Sequence, residues 1–320
     1  WEKKGSDLLI LMGDPIKLIS KLAALIQAEC IYWNENIEPY EINRDRQIID
    51  KLRKDKKKVY TFLDQLIVNP NTIKTNNDEP YKVYGPFHRK WMDIINNTKS
   101  LDSNLIKVLS LPTHLPKTSN SDISSIKKSD LNYSIIREND SIYDLLSSNR
   151  FSNTNHCPCK PGESKSIKQL SFFIHSGAIS SYNKARDIPS LESTSNLSAA
   201  LSLGTISCRS AWNGAQLSRD IATDQYQFDA IDTWIKELAW REFYQNALIN
   251  FPELEKGPYR KKWFNFPWQN RLDWFEAWEN GLTGIPIIDA AMRQLKNSGW
   301  MHNRCRMIVA SFLVKDLLID

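Results

Sequence analysis

The sequence predicts two regions of different class: an α/β region with a Rossmann-like parallel sheet, then an all-helical region. Three observations carry this. Over residues 1–100 short apolar runs alternate with amphipathic stretches; residues 101–165 are rich in Ser, Asn, Lys, Asp and Pro with weak periodicity; and from 166 to 320 helical spacing prevails without a convincing strand pattern. Eight of the 11 tryptophans fall between Trp212 and Trp300, so the aromatic load belongs to the helical region.

In the first region, Leu8-Leu9-Ile10-Leu11 reads as a strand closed by Gly13-Asp14-Pro15. Proline at the first helical position then opens a helix from Ile16 to Ala28. Ile31-Tyr32-Trp33 reads as a second strand and Tyr40 to Lys54 as a charged helix burying Ile42, Ile48, Ile49 and Leu52. Val59 to Leu63 reads as a third strand, and the βαβ order implies parallel pairing with right-handed crossovers. Residues 101–165 read as a connection between the two regions.

Composition excludes several classes. At 320 residues with 41% apolar content the chain has material for two cores, and no apolar run approaches the ~18 residues of a membrane span. The start, Trp1-Glu2-Lys3-Lys4, is neither a signal peptide nor a transit segment, and the reading is cytoplasmic. A net charge of +5 permits a polyanionic partner without requiring one. Five cysteines make no even framework and read as reduced thiols. His156-Cys157-Pro158-Cys159 has ligand chemistry but no second pair at zinc spacing, so no metal site is expected. Gly13-Asp14-Pro15 lacks the glycine spacing of a nucleotide loop and reads as a turn.

Two clusters carry chemistry. Thr194-Ser195-Asn196-Leu197-Ser198 places three hydroxyls and an amide at a helix start, suited either to a phosphate group or to ordinary capping. On the helix around residue 240, Trp234, Glu237, Trp240, Arg241 and Tyr244 fall within an arc of about 120° at 100° per residue. Indoles mixed with a carboxylate, a guanidinium and a phenol suit a wall that stacks on planar heterocycles and binds their edges. The alternative is a Glu237–Arg241 salt bridge one turn apart, flanked by core indoles. Further on, Pro286 starts a helix that Gly299 ends. Trp300 to Met307 opens another, apolar to Ile319, with His302 structural and Asn303, Arg304 and Arg306 as ligands for polar edges or phosphates.

Three blocks, Glu237-Leu-Ala-Trp240-Arg241-Glu242-Phe243-Tyr244, Thr283 to Arg293, and Trp300-Met301-His302-Asn303-Arg304, resemble diagnostic segments of the photolyase/cryptochrome family. The resemblance runs almost end to end and is close over the last 90 or so residues. It implies an antenna-chromophore domain and a helical domain holding folded FAD, each incomplete, in a piece that lacks both ends and is inactive alone. Tyr182, Thr194, Ser195, Asn196, Leu197, Ser198 and Trp234 then line FAD, with the hydroxyl stretch near its phosphates. Glu237 and Trp240 belong to the pocket for a flipped-out pyrimidine dimer, with Met307 and Tyr244 beside it and Asn303 near the reactive flavin nitrogen. Arg186, Arg241 and Arg304 lie on the DNA side, and Trp278 is the outermost of three electron-relay tryptophans. Glu41 and Lys256 match positions contacting a folate antenna, 5,10-methenyltetrahydrofolate.

The implied activity is light-dependent repair of cyclobutane dimers in UV-damaged DNA by a monomer resembling bacterial class I enzymes. The photoexcited flavin does the chemistry and the protein binds and orients. A cryptochrome-type photoreceptor is the alternative; Asn at 303, where animal cryptochromes carry histidine, together with Trp240 favours repair. Two residues depart from the family pattern: Asn196 stands where Arg is usual, and Lys236 replaces a neutral residue.

Overall fold

The α/β region forms around a smaller sheet than the strand pattern suggests. In the computed structural model, which describes residues 6, 8–101, 108, 112–117, 119–131, 133–136 and 157–320, β2 (Cys30–Asn34) and β3 (Lys58–Phe62) pair in parallel, Cys30 opposite Lys58 and Asn34 opposite Phe62. Between them runs α2 (Pro39–Lys54), and before them α1 (Pro15–Leu25). The expected third parallel partner is corrected: β1 (Leu8–Leu11) pairs antiparallel with β4 (Tyr133–Ile136), Leu8 opposite Ile136. An all-apolar run specifies a strand but not its neighbour, and the neighbour here lies in the stretch read as a connection. That stretch also holds α4 (Asn120–Lys127), capped by Ser119, whose hydroxyl accepts from the Asp122 N–H at 3.0 Å.

Local chemistry explains the helix bounds. The Asp14 carboxylate accepts from the Ile16 N–H at 3.0 Å and Pro15 takes the first position, so α1 starts there. It ends at Leu25, before Gln27 turns into the left-handed region at φ 52°, short of the expected Ala28. Ala23 of α1 and Ile48 and Leu52 of α2 bury one core, against which Ile31, Trp33 and Val59 of the strands pack. On the exposed strand positions Tyr32 and Tyr60 stack across the pair at 4.9 Å.

Contacts divide the chain into two units, one of residues 1–64, 107–152 and 248–252, the other of 65–106, 153–247 and 253–320. Among the described residues the second unit is helical: α3 (Tyr84–Leu101), α5 (Glu163–His175), α6 (Tyr182–Ala185), α7 (Ser198–Ser202), α8 (Cys208–Asp220), α9 (Gln225–Asn250), α10 (Leu272–Glu279), α11 (Pro286–Ser298) and α12 (Asn303–Ser311). Its main core holds Trp91, Trp212, Phe173, Ile179, Ile231 and Trp234. Trp91 and Trp212 meet edge to face at 5.4 Å, a geometry the ring quadrupoles favour. A second cluster joins Ile288, Ala291 and Met292 of α11 to Cys305 and Val309 of α12.

One buried carboxylate organises the unit. Glu242 on α9, 2% exposed, accepts from the N–H groups of Ile67 (2.5 Å) and Val68 (3.2 Å) and from the Trp91 ring N–H (2.7 Å). A loop backbone and α3 are thus pinned to α9, the helix that carries the candidate site. Pro286 and Gly299, at φ 68°, bound α11 as expected. The helix expected from Trp300 instead begins at Asn303, because His302 is its cap: Nδ1 accepts from the Arg304 N–H at 3.1 Å. After Ser311 the chain passes through a π-helical turn, Phe312–Asp316.

Candidate active site

Helix α9 does not present its mixed face as one wall. Trp234 points into the core, 3% exposed, with its ring 5.3 Å from Phe173. Tyr182, at the start of α6, is 8% exposed and meets Phe173 edge-on at 6.0 Å. One turn beyond Trp234, Glu237 receives a hydrogen bond from Arg186. The i,i+4 bridge to Arg241 is therefore not formed. Arg241 donates to the backbone carbonyls of Gln65 (2.6 Å) and Leu201 (3.2 Å), which makes it a clamp between a loop and α7. Its guanidinium is occupied within the fold, which departs from the expectation that it faces DNA.

The Glu237–Arg186 pair belongs to a longer chain of charges. Arg186 also lies 3.5 Å from Asp187, and Asp187 accepts from Arg304 of α12 at 2.6 Å. Two cations and two anions thus alternate from α12 through α6 to α9. The Tyr182 phenol beside them is held well above its ordinary pKa, first by burial and then by the Glu237 charge, and stays protonated. Tyr84 of α3 is raised for the same two reasons.

Trp240 completes the group. Its ring stacks on Tyr84 with centroids 3.5 Å apart and planes at 5°, and Phe243 meets it edge-on at 5.7 Å. Tyr244, 66% exposed, lies 5.6 Å away at 23°. Indole, carboxylate and guanidinium therefore stand together on one side of α9. Such a set stacks on a planar ring and hydrogen-bonds its polar edge.

The hydroxyl stretch lies at the start of α7. The Thr194 hydroxyl donates to Asn196 Oδ1 at 3.2 Å, the Ser195 carbonyl accepts from Gln169 at 3.1 Å, and Leu197 is buried beneath. Asn196 sits at φ 52°, a conformation asparagine tolerates. No side-chain bond caps α7, at Ser198 or elsewhere. Asn196 and Leu197 line a cavity of about 480 Å³ together with Lys160, Lys165 and Lys168.

The remaining residues are more scattered. Asn303 and Met307 are exposed on α12, Met307 at 56%. His302 is 1% exposed; burial, then the charge of Arg304, lowers its pKa, so it is neutral, and its Nε2 finds no partner among the described residues. Trp278 is half-buried, donates to the Val309 carbonyl at 3.0 Å and packs on the α11–α12 cluster. Glu41 is half-buried in the first turn of α2, and Lys256 is exposed just after a 3₁₀ turn, Pro252–Glu255. His156 lies outside the described residues, and no metal-binding cluster occurs among those that are described. Sequence reasoning missed Tyr84 and Asp187, whose local spacing does not link them to α9, and the depth of Glu242 on α9 itself.

A model described as the FAD binding domain of DNA photolyase matches residues 234–320, and one described as DNA photolyase matches residues 1–104. Both ends of the chain thus resemble the photolyase family. A deoxyribodipyrimidine photo-lyase of Synechococcus sp. is 41% identical over the whole chain, which covers 62% of that relative. The corresponding protein of Agrobacterium fabrum is 34% identical over the whole chain, which covers 61% of it. The chain therefore spans about three-fifths of the length of these photolyases. Among solved structures, a class III photolyase from Agrobacterium tumefaciens superposes with a TM-score of 0.75 at 33% identity, matching 100% of this chain and 61% of its own. A cryptochrome from Synechocystis, at 23% identity, has a TM-score of 0.80 over 100% of this chain and 62% of its own, and shares the fold.

Proposed function

We propose that the protein carrying this chain repairs cyclobutane pyrimidine dimers in UV-damaged DNA, using light. The observation that carries the reading is the pairing of Trp240 with Glu237 on one side of α9, with Arg186 orienting the carboxylate. The indole offers a plate for a flipped-out pyrimidine, and Glu237 accepts a hydrogen bond from a ring N–H of that base. We assign Tyr244 and Met307, both exposed, to the same lesion site. We assign Arg186, Arg241 and Arg304 to the DNA side; to bind a phosphate, Arg186 and Arg304 would exchange Glu237 and Asp187, and Arg241 the Gln65 and Leu201 carbonyls.

FAD is the cofactor this reading requires, and the residues present suit its phosphate end. Asn196 lines a cavity with Lys160, Lys165 and Lys168, a donor set for a diphosphate, and we assign its chain neighbours Thr194, Ser195 and Ser198 to the same phosphate end. We assign Tyr182 and Trp234, both buried against Phe173, to the FAD site as well, and Asn303 offers an exposed amide at the start of α12. When bound and photoexcited in its reduced form, the flavin supplies the electron that opens the cyclobutane ring. The protein's share is to hold the dimer, fix its orientation and exclude water. Asn196 in place of the family's Arg removes one cation from the phosphate side without removing a hydroxyl. Trp278 serves as the outermost tryptophan in electron supply, and 5,10-methenyltetrahydrofolate is the antenna chromophore, Glu41 and Lys256 each matching a folate-contact position. We take the enzyme to act as a monomer of class I, and Asn303 with Trp240 favours dimer repair over a photoreceptor role.

The intact protein, reduced and illuminated with blue light, is expected to remove dimers from UV-treated DNA, measured as loss of dimer-specific antibody signal. Blue-light absorption without dimer loss overturns repair in favour of a photoreceptor. Trp240→Ala is expected to weaken binding to dimer-containing DNA about tenfold while leaving undamaged DNA unaffected, since one stacked base contributes about 1–3 kcal/mol.

A further inference from the structure

Tyr84 stands on Trp240 at the distance of direct ring contact, 3.5 Å between centroids with the planes 5° from parallel. It is held there from several sides. Its hydroxyl donates to the Lys236 carbonyl at 3.0 Å, one turn of α9 before Trp240. Phe243 meets its ring edge-on at 5.8 Å, and His88 lies 5.6 Å away on α3. Burial and the Glu237 charge keep the phenol protonated, so the hydroxyl retains the hydrogen it donates. Tyr84 is thus fixed, while Tyr244, on the same indole, is largely exposed and has room to give way.

A tryptophan that must stack on an extruded base binds better if it is already immobile, because no rotamer freedom is then lost on binding. We propose that Tyr84 is a positioning residue for the pyrimidine dimer: it backs one face of Trp240 and so presents the other face, preset, to the incoming base. This rests on the repair reading given above. It assigns a specificity role to a residue of α3, a helix that carries none of the motif residues.

The test uses the intact protein with Tyr84→Met and Tyr84→Leu, which fill the space without a ring, and Tyr84→Phe, which keeps the ring and loses only the hydroxyl. Each is titrated with an oligonucleotide carrying one cyclobutane dimer and with its undamaged twin, and repair is timed under saturating light. The ringless variants are expected to lose about tenfold in preference for the dimer, about 1.4 kcal/mol, with undamaged affinity unchanged. Their KM rises and kcat at saturation stays, whereas Tyr84→Phe remains within about twofold of the parent. Melting curves identify the folded ringless variant on which the result is read. Unchanged preference in that variant overturns the proposal, and increased preference does so as well, since Tyr84 would then be blocking the site. Trp240→Ala run in parallel separates the two ideas: if it keeps the dimer preference the repair reading fails, and if it alone loses that preference only the role of Tyr84 fails.

Discussion

Glu242 is an ionisable side chain buried at 2% exposure, a position that costs free energy unless its oxygens are satisfied. Three N–H donors meet them. Burial still dominates and raises its pKa, with the hydrogen bonds and Arg241 acting in the opposite direction. Replacing it with alanine leaves three buried donors without an acceptor. Glu242→Ala is therefore expected to destabilise the protein by about 3 kcal/mol or more, read from the midpoint of urea unfolding. Glu242→Gln keeps one acceptor oxygen and should cost about 1–2 kcal/mol. The pH dependence has a definite sign. A carboxyl whose folded pKa is raised binds its proton more tightly when folded, so its contribution is complete below the unfolded value of about 4.3 and is lost as pH rises through the folded value. The stability advantage of the parent over Glu242→Gln should thus shrink between about pH 4 and neutrality. An advantage that grows over that range would show a carboxylate held ionised by its donors. The position was visible in the sequence as part of a motif, but a Glu between Arg241 and Phe243 looks locally like any charged helix residue.

Helix α9 shows how far helical spacing reaches and where it stops. The 3.6-residue period correctly gathers Trp234, Glu237, Trp240 and Arg241 on neighbouring positions, since angle along a helix is a local property. Their partners come from elsewhere: Arg186 for Glu237, Gln65 and Leu201 for Arg241, Tyr84 for Trp240. The i,i+4 rule favours a Glu237–Arg241 bridge worth a few tenths of a kcal/mol in an isolated helix, too little to compete with contacts to buried backbone carbonyls. The strands failed in the same way, with β1 legible as a strand and its antiparallel partner β4 not. Turn chemistry, being local, was legible where glycine or proline marks it. Between α10 and α11, Asp289 Oδ1 accepts from the Thr283 N–H at 2.8 Å and Oδ2 from the Gly284 N–H at 3.0 Å. Gly281 supplies φ 64°, and a Cβ there would come within 2.7 Å of the Asp289 carbonyl oxygen. Gly281→Ala combines backbone strain with a clash against main chain. It is expected to cost on the order of 1–3 kcal/mol in differential scanning calorimetry, with the melting transition shifted downward. A neutral outcome would mean that the α10–α11 turn relaxes freely.

At the scale of the whole molecule, the net charge of +5 permits a polyanionic partner, yet Arg186 and Arg304 are paired with carboxylates of the chain itself. Arg304 and Arg186 alternate with Asp187 and Glu237, so that the group carries two positive and two negative charges. Composition reports the sum and says nothing of this pairing, which is why Arg186 and Arg304, assigned to the DNA side from motif resemblance, turned out to be bound to carboxylates within the fold. On the repair reading proposed above, charges paired at rest would give little non-specific attraction, and a ligand that satisfies Glu237 would release Arg186 for phosphate. Each phosphate neutralised by a cation releases condensed counterions, which steepens the fall of log K with log salt by about 0.9 on B-form DNA. Asp187→Asn removes the carboxylate that Arg304 holds while leaving an acceptor oxygen in its place. Binding of undamaged DNA by this variant is expected to tighten about threefold at 50 mM salt, its salt slope steeper by about 0.9, with little change in the dimer-specific increment. Fluorescence anisotropy titrations from 50 to 200 mM salt measure both quantities. An unchanged slope would show that Arg304 reaches no phosphate and that the alternating chain of charges is purely structural.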